Sequence, residues 1–245
     1  MFIGYYAIGL YAIYRCIVWL GRRKRSLRST YREVWNDSAK KDLINAICDG
    51  YTKEQFEESG KSTVDNILLT VMPKNAIILD VGCGIGRIDS YLASYCKQLH
   101  CVDISDEMIT IARDRLKKFQ NVFVYRADAR ELEFSDNTFD FIFSFLVVQH
   151  MNKEDSFVAL TEIFRVLKKG GKALIQFPNL LSEVYFKSFL ADVRSRERKI
   201  NRVRAYTTAE IEKNLSYIGF KVVEINKHQG DYKNSDTELY YLLEK

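Results

Sequence analysis

The sequence predicts an α/β protein built on a doubly wound, mostly parallel sheet, and three observations carry that prediction. From residue 76 onward, short apolar runs alternate with segments of 3.6-residue periodicity, the pattern of parallel strands joined by crossover helices. The first run empties into a glycine-rich turn, Gly82, Gly84 and Gly86, at the end of a strand where such sheets bind their ligands. A length of 245 residues, 47% of them hydrophobic, supports one sizeable core and excludes disordered and low-complexity classes.

Residues 1–20, MFIGYYAIGLYAIYRCIVWL, would reach about 30 Å as a helix, one hydrocarbon thickness. The basic cluster GRRKR follows this run, whereas a cleaved signal peptide carries its charge before it. The expectation is therefore an uncleaved N-terminal hydrophobic helix with a basic flank, residues 1–28, anchoring the chain in a membrane with the rest facing the cytoplasm. A peripheral interfacial helix and a buried helix of the soluble fold are the alternatives. Residues 29–72 read as a helical cap of two or three helices, with Trp35, Ile44, Ile47, Phe56, Val64, Ile67 and Leu68 as apolar contacts.

The third unit, 73–245, carries the alternation. AIILDV (76–81) reads as a buried strand, and Ile85, Ile88, Leu92 and Tyr95 as the face of a helix. LHCVDI (99–104) is a second strand, after which Ser105 caps a helix with Asp106 and Glu107 in its first turn, where carboxylates meet the positive end of the helix dipole. NVFVYRA (121–127) and FDFIFSFL (139–146) are the next strands. Phe157, Leu160, Phe164 and Leu167 mark a helix closed by Gly170 and Gly171. KALIQF (172–177) follows, then a basic stretch, a helix starting at Thr207 or Thr208, and the strands FKVVEI (220–225) and ELYYLLEK (238–245).

The net charge of +5 is misleading until it is located: residues 1–30 hold six Lys/Arg and no acid, leaving 31–245 at −1. A nearly neutral domain argues against nucleic acid as substrate or partner. The five cysteines, Cys16, Cys48, Cys83, Cys96 and Cys101, form no CxxC pair, so neither a zinc cluster nor a disulfide framework is indicated, and a reducing compartment fits best.

The turns after the strands hold the chemistry. Asp80 precedes Gly82, Gly84 and Gly86, and position 87 is Arg, so the spacing is GxGxG instead of the dinucleotide GxGxxG. Asp103 ends the second strand, 21 residues after Gly82, where a carboxylate can accept from both hydroxyls of a ribose. Asp128 ends the third, where it can accept from the amino group of an adenine or serve only the turn.

Taken together, LDVGCGIGR, CVDIS, RADA, FDFIFSFLVVQHM and the LKKGG turn resemble the class I S-adenosylmethionine-dependent methyltransferases of the broad type that acts on small-molecule, lipid and sugar acceptors. The resemblance covers about residues 35–245. It implies a Rossmann-like sheet of seven strands with the last antiparallel, and S-adenosyl-L-methionine as cofactor. It implies that Gly82, Gly84 and Gly86 approach the methionine part, Asp80 helps hold its ammonium, Asp103 with Ile104 grips the ribose, Asp128 with Ala129 reads the adenine, and Phe145 lines the cofactor beside the methyl.

Departures narrow the acceptor. After the fourth strand stands Ser144, Phe145, Leu146, Val147 instead of the D/N-P-P-Y/F run of enzymes that modify amide or adenine nitrogens. Cytosine-C5 chemistry would need a late cysteine, and no thiol lies beyond Cys101. A sulfonium is already an activated leaving group, so displacement needs mainly alignment, and no metal. For an oxygen acceptor His150 is the best-placed base, although a residue fixing the turn is the preferred reading. His100 and His228 are weaker candidates. The basic stretch Arg194, Arg196, Arg198, Lys199, Arg202, Arg204 lies where the family places its acceptor lid, or forms a solvated face. The expected function is thus a membrane-tethered methyltransferase acting on a lipid, lipid-linked sugar or other small molecule. The alternatives are a silent cofactor-binding module and an aminopropyltransferase-like enzyme.

Overall fold

The computed structural model describes residues 31–44, 47, 50–195, 200, 202–228 and 237–245. Its strands are β1 (Ile77–Val81), β2 (Gln98–Asp103), β3 (Val122–Arg126), β4 (Phe139–Ser144), β5 (Leu167–Pro178), β6 (Lys221–His228) and β7 (Glu238–Glu244). Helix α1 covers 31–41. It is followed by α2 (Lys53–Thr63), α3 (Asp89–Leu92), α4 (Asp106–Leu116), α5 (Lys153–Val166), α6 (Glu183–Ser195) and α7 (Thr208–Ile218). The sheet order is β3-β2-β1-β4-β5-β7-β6. β7 is antiparallel to both its neighbours, and the pairs from β3 through β5 are parallel, as the sequence led us to expect.

The apolar runs form central strands because helices cover both faces of the sheet. One face packs Leu79, Ile142, Ala173 and Tyr241 against α5 and α7. The other packs Ile78, Leu99, Phe141 and Leu174 against α4 and the π-helical turn Val64–Leu68 that follows α2. A smaller cluster joins Ala39, Phe56, Ile85 and Met108, so α1 and α2 lie over the glycine turn. Ser105 caps α4 by accepting from the Met108 amide at 3.2 Å, and Thr207 caps α7 through the Glu210 amide at 3.3 Å.

Two local expectations are corrected. The segment after β1 has only one turn of α-helix, Asp89–Leu92, and a 3-10 turn over Ala93–Tyr95, leaving Tyr95 half exposed. The positive φ values of Gly82, Gly84 and Gly86 hold residues 82–88 in turns and delay the helix. Nor does Gly170–Gly171 cap α5. Leu167 is already extended, β5 begins there, and a register shift between Phe139 and Phe141 accommodates the extra residues, with Gly170 at φ 72°.

The membrane expectation is also corrected. Among the described residues no helix is long and apolar enough to cross a membrane, and residues 1–28, on which the anchor and its cytoplasmic orientation rested, lie outside them.

Candidate active site

The C-terminal ends of β1, β2 and β4, with the residues just after β3, surround one cavity, and α1 and Ile47 line its remaining side. Its walls contain Asp80, Gly82, Gly84, Asp103, Ile104, Asp128, Ala129, Phe145 and His150. Of the nine residues expected against the cofactor and the base candidate His150, all but one therefore meet in one place. Gly86 is the exception. A Cβ there would come within 2.8 Å of Leu116 Cδ1 on α4, so this glycine serves helix packing and not the cavity wall.

The glycine turn is pinned to β2: the amides of Gly82 and Cys83 both donate to the Val102 carbonyl, at 2.8 and 3.0 Å. Gly82 adopts φ 91°, and a Cβ there would lie 2.1 Å from Val147 Cγ2, so the turns after β1 and β4 touch and only glycine fits. Asp103 links the next pair of segments. Its Oδ2 accepts from the Gly84 amide at 3.0 Å and its Oδ1 from the Ser105 amide at 2.9 Å. Burial raises its pKa, with the amides of Ser105, Gly84 and Ile104 acting in the opposite direction.

Asp80 is buried at the floor, and burial together with the neighbouring Asp89 charge pushes its carboxyl well above the usual range. Asp89, fully buried, is raised to about 6, chiefly by desolvation, and accepts from the Cys101 thiol at 3.1 Å. Beside them lies Arg87, which the sequence offered only as a departure from a dinucleotide motif. It is buried and lines the cavity, its Nη1 donates to Ser59 Oγ at 2.8 Å, and its buried Nε has no partner among the described residues.

Asp128, in the cavity wall, is oriented by a neighbouring arginine. Its Oδ1 accepts from the Arg130 amide and Nε at 2.9 and 3.0 Å, and its Oδ2 from Nη2 at 2.8 Å. Arg130 Nη1 reaches Asp155 on α5 at 2.8 Å. The Tyr31 hydroxyl donates to Asp155 and accepts from the Asn152 amide, at 3.1 and 2.7 Å, while the guanidinium of Arg130 lies over its ring. A buried network thus runs from the end of β3 through α5 to α1. Its only sequence signal was the Arg two positions after Asp128.

On the far side, Phe145 packs against Phe143 and Tyr240, both at 5.4 Å between ring centroids. His150 ends a 3-10 turn, Val148–His150. Its ring meets the Trp35 ring edge-on at 4.9 Å, and its Nε2 lies 3.2 Å from Gln149 Nε2. The His150 carbonyl accepts from Arg204 Nη1 at 3.1 Å, and the same nitrogen donates to the carbonyls of Ile200 and Arg202. So the last arginine of the basic stretch fastens the His150 turn, and 196–199 lie outside the described residues. His100 lies away from the cavity, stacked on Phe123 at 5.0 Å. The side chain of His228 is not among those described.

Comparison with known proteins agrees with this geometry. Residues 79–175 match a family described as a methyltransferase domain. The chain is 32% identical over 164 residues to phosphoethanolamine N-methyltransferase 1 of Triticum aestivum, covering 64% of this chain and 31% of that one. It is 32% identical over 166 residues to a ubiquinone/menaquinone biosynthesis C-methyltransferase of Rickettsia felis, covering 63% of this chain and 62% of that one. In both cases the matched part is less than two thirds of the relative's length. Magnesium protoporphyrin IX methyltransferase from Synechocystis PCC 6803, crystallised with bound SAH, shares the fold with a TM-score of 0.65 at 16% identity, over 91% of this chain and 99% of that one. The glycine turn, the Asp103 contacts and the matched span all fall on the same strands: residues 79–175 carry a methyltransferase domain, and the sheet has the fold of the S-adenosylmethionine-dependent methyltransferases.

Proposed function

We propose that the protein transfers the methyl group of S-adenosylmethionine to a small-molecule acceptor, with 73–245 as the methyltransferase domain and 29–72 as its cap. The observation that carries this reading is the single cavity joining the turns after β1, β2, β3 and β4. The donor set fits the cofactor: Asp80 for the ammonium and Arg87, with its unpaired buried Nε, for the carboxylate of the methionine part. Asp103 and Ile104 hold the ribose, Asp128 and Ala129 meet the adenine, and Gly82 and Gly84 allow close approach. The bound cofactor supplies an electrophilic methyl on a good leaving group. The chain's own task is alignment, which can lower a barrier by about 7–11 kcal/mol, and exclusion of water by the Trp35, Phe145, Leu146 and Met151 walls.

Those apolar walls, with the quinone and porphyrin named for two of the similar proteins, support an acceptor with an apolar portion; a lipid or lipid-linked sugar is the form we propose. Incubating the protein with methyl-labelled cofactor and small-molecule extracts should move label into an organic-soluble product. Cofactor binding without any label transfer would favour a silent binding module.

The Asp80–Asp89 pair makes cofactor binding depend on pH. Because the folded pKa of Asp89 is raised from 3.8 to about 6, its contribution to stability is complete below about pH 4 and is lost as pH rises through 6. A bound ammonium instead favours the ionised pair. Affinity should therefore climb between pH 5.5 and 8, by no more than about tenfold per unit for one released proton. Calorimetry checks this, and a flat profile would detach Asp80 from the ammonium. Asp89→Asn, able to donate to Asp80, should flatten the climb.

His150 is expected to act as a wall and turn residue. His150→Ala should lower Tm and cofactor affinity together, with a turnover loss below about tenfold. General-base help is worth about 10²–10⁴-fold, so a loss of that size with affinity intact would make it the base.

A further inference from the structure

Leu146, between the cavity-lining Phe145 and Val147, has φ 59°, a left-handed conformation that residues other than glycine rarely adopt. Its amide is turned away from any strand ladder and donates to Gln176 Oε1 on β5 at 2.9 Å. That bond fixes the Gln176 amide, because its other end must be the donor. Gln176 Nε2 donates to Glu238 Oε2 at 2.7 Å. Glu238 opens β7 opposite Pro178 and is 4% exposed. Its Oε1 accepts from the hydroxyl of Tyr185 on α6, a helix that buries none of its own residues.

We propose that Glu238 is a positioning residue for the methyl-transfer site: through Gln176 it holds the Leu146 turn, and through Tyr185 it latches α6 to the same point. The chain of contacts continues into the cofactor side, since Val147 Cγ2 occupies the space that a Cβ on Gly82 would need. A movement of the Leu146 turn is therefore felt at the glycine turn. A buried carboxylate bonded at both oxygens fits this role, because a buried acceptor without donors is costly and its network is correspondingly specific. Burial raises its carboxyl to about 7, against the Tyr185 and Gln176 donors that lower it, so glutamine is a reasonable isostere near neutral pH.

The proposal rests on the reading of the cavity as a cofactor site, and the test separates the two. In the full chain, Glu238→Leu, Gln176→Leu and Glu238→Gln are compared by hydrogen exchange at the Leu146 amide and by calorimetry with S-adenosylhomocysteine. Glu238→Leu and Gln176→Leu should speed Leu146 exchange at least tenfold and weaken affinity five- to tenfold. Glu238→Gln, which keeps an acceptor for Gln176, should restore both to within twofold of the parent. Unchanged exchange and affinity in Glu238→Leu would overturn the latch, and so would a Glu238→Gln variant as impaired as Glu238→Leu. If Glu238→Leu does not fold, Gln176→Leu decides by the same two measurements. A parent that binds no S-adenosylhomocysteine would overturn the cofactor reading, and the exchange comparison alone would then decide the latch.

Discussion

Arg130→Ala is expected to cost about 3–5 kcal/mol of stability, the range for removing one partner of a buried ion pair. The Arg130 side chain is 2% exposed, and the Asp128 and Asp155 side chains it bridges are 12% and 13% exposed. The substitution strips the cation from two enclosed carboxylates. For a chain of this size the loss corresponds to a fall in Tm of roughly 6–20 °C. Thermal melts of parent and variant check the loss. A loss below about 1 kcal/mol would show that solvent or rearrangement replaces the guanidinium. Asp128→Asn combined with Arg130→Ala should be less damaged than Arg130→Ala alone.

Asp103→Ala should nearly abolish cofactor binding while leaving the sheet folded. Two hydrogen bonds from ribose hydroxyls to a carboxylate are worth about 1.5–3 kcal/mol each, which places the loss in affinity at roughly 10²–10⁴-fold. Part of it has a second origin: the Gly84 and Ser105 amides lose the acceptors that hold the glycine turn against α4. Asp103→Asn keeps one acceptor oxygen and should fall between the parent and the alanine variant. Calorimetry with S-adenosylhomocysteine gives the measurement, and an unchanged affinity in a folded Asp103→Ala protein would remove this residue from the site.

What the sequence disclosed and what it withheld have a common explanation. Strand β1, the glycine turn and Asp103 were legible because each is encoded within a few neighbouring residues: an apolar run, three glycines at fixed spacing, and a carboxylate at a strand end. The pairing of Asp128 with Arg130 lies within the same reach, but a carboxylate at a strand end reads equally as a ligand contact or a turn residue, and neither reading points to a cation two positions on. The contacts of Tyr31 with Asp155, 124 positions apart, and of Gln176 with Glu238, 62 apart, leave no periodic trace. They are single polar residues brought together only by the sheet order. Arg87 is hidden for another reason: at its place in the GxGxG turn the spacing marks only a missing glycine, and a single arginine there carries no further pattern.

The placement of β7 between β5 and β6 bears on how the protein is made. Every described residue of the cavity wall lies between Tyr31 and Met151, so this half emerges from the ribosome first. Yet β6 cannot join the sheet until β7 has been synthesised, because β7 is its partner there. At about 5–20 residues per second, the stretch between the end of β5 at Pro178 and the start of β7 at Glu238 takes roughly 3–12 s. During that interval β5 is an open edge and the Leu146 turn lacks the carboxylate supplied by Glu238. A nascent chain in this state exposes an unpaired apolar strand, and a pause late in translation would prolong its exposure to aggregation.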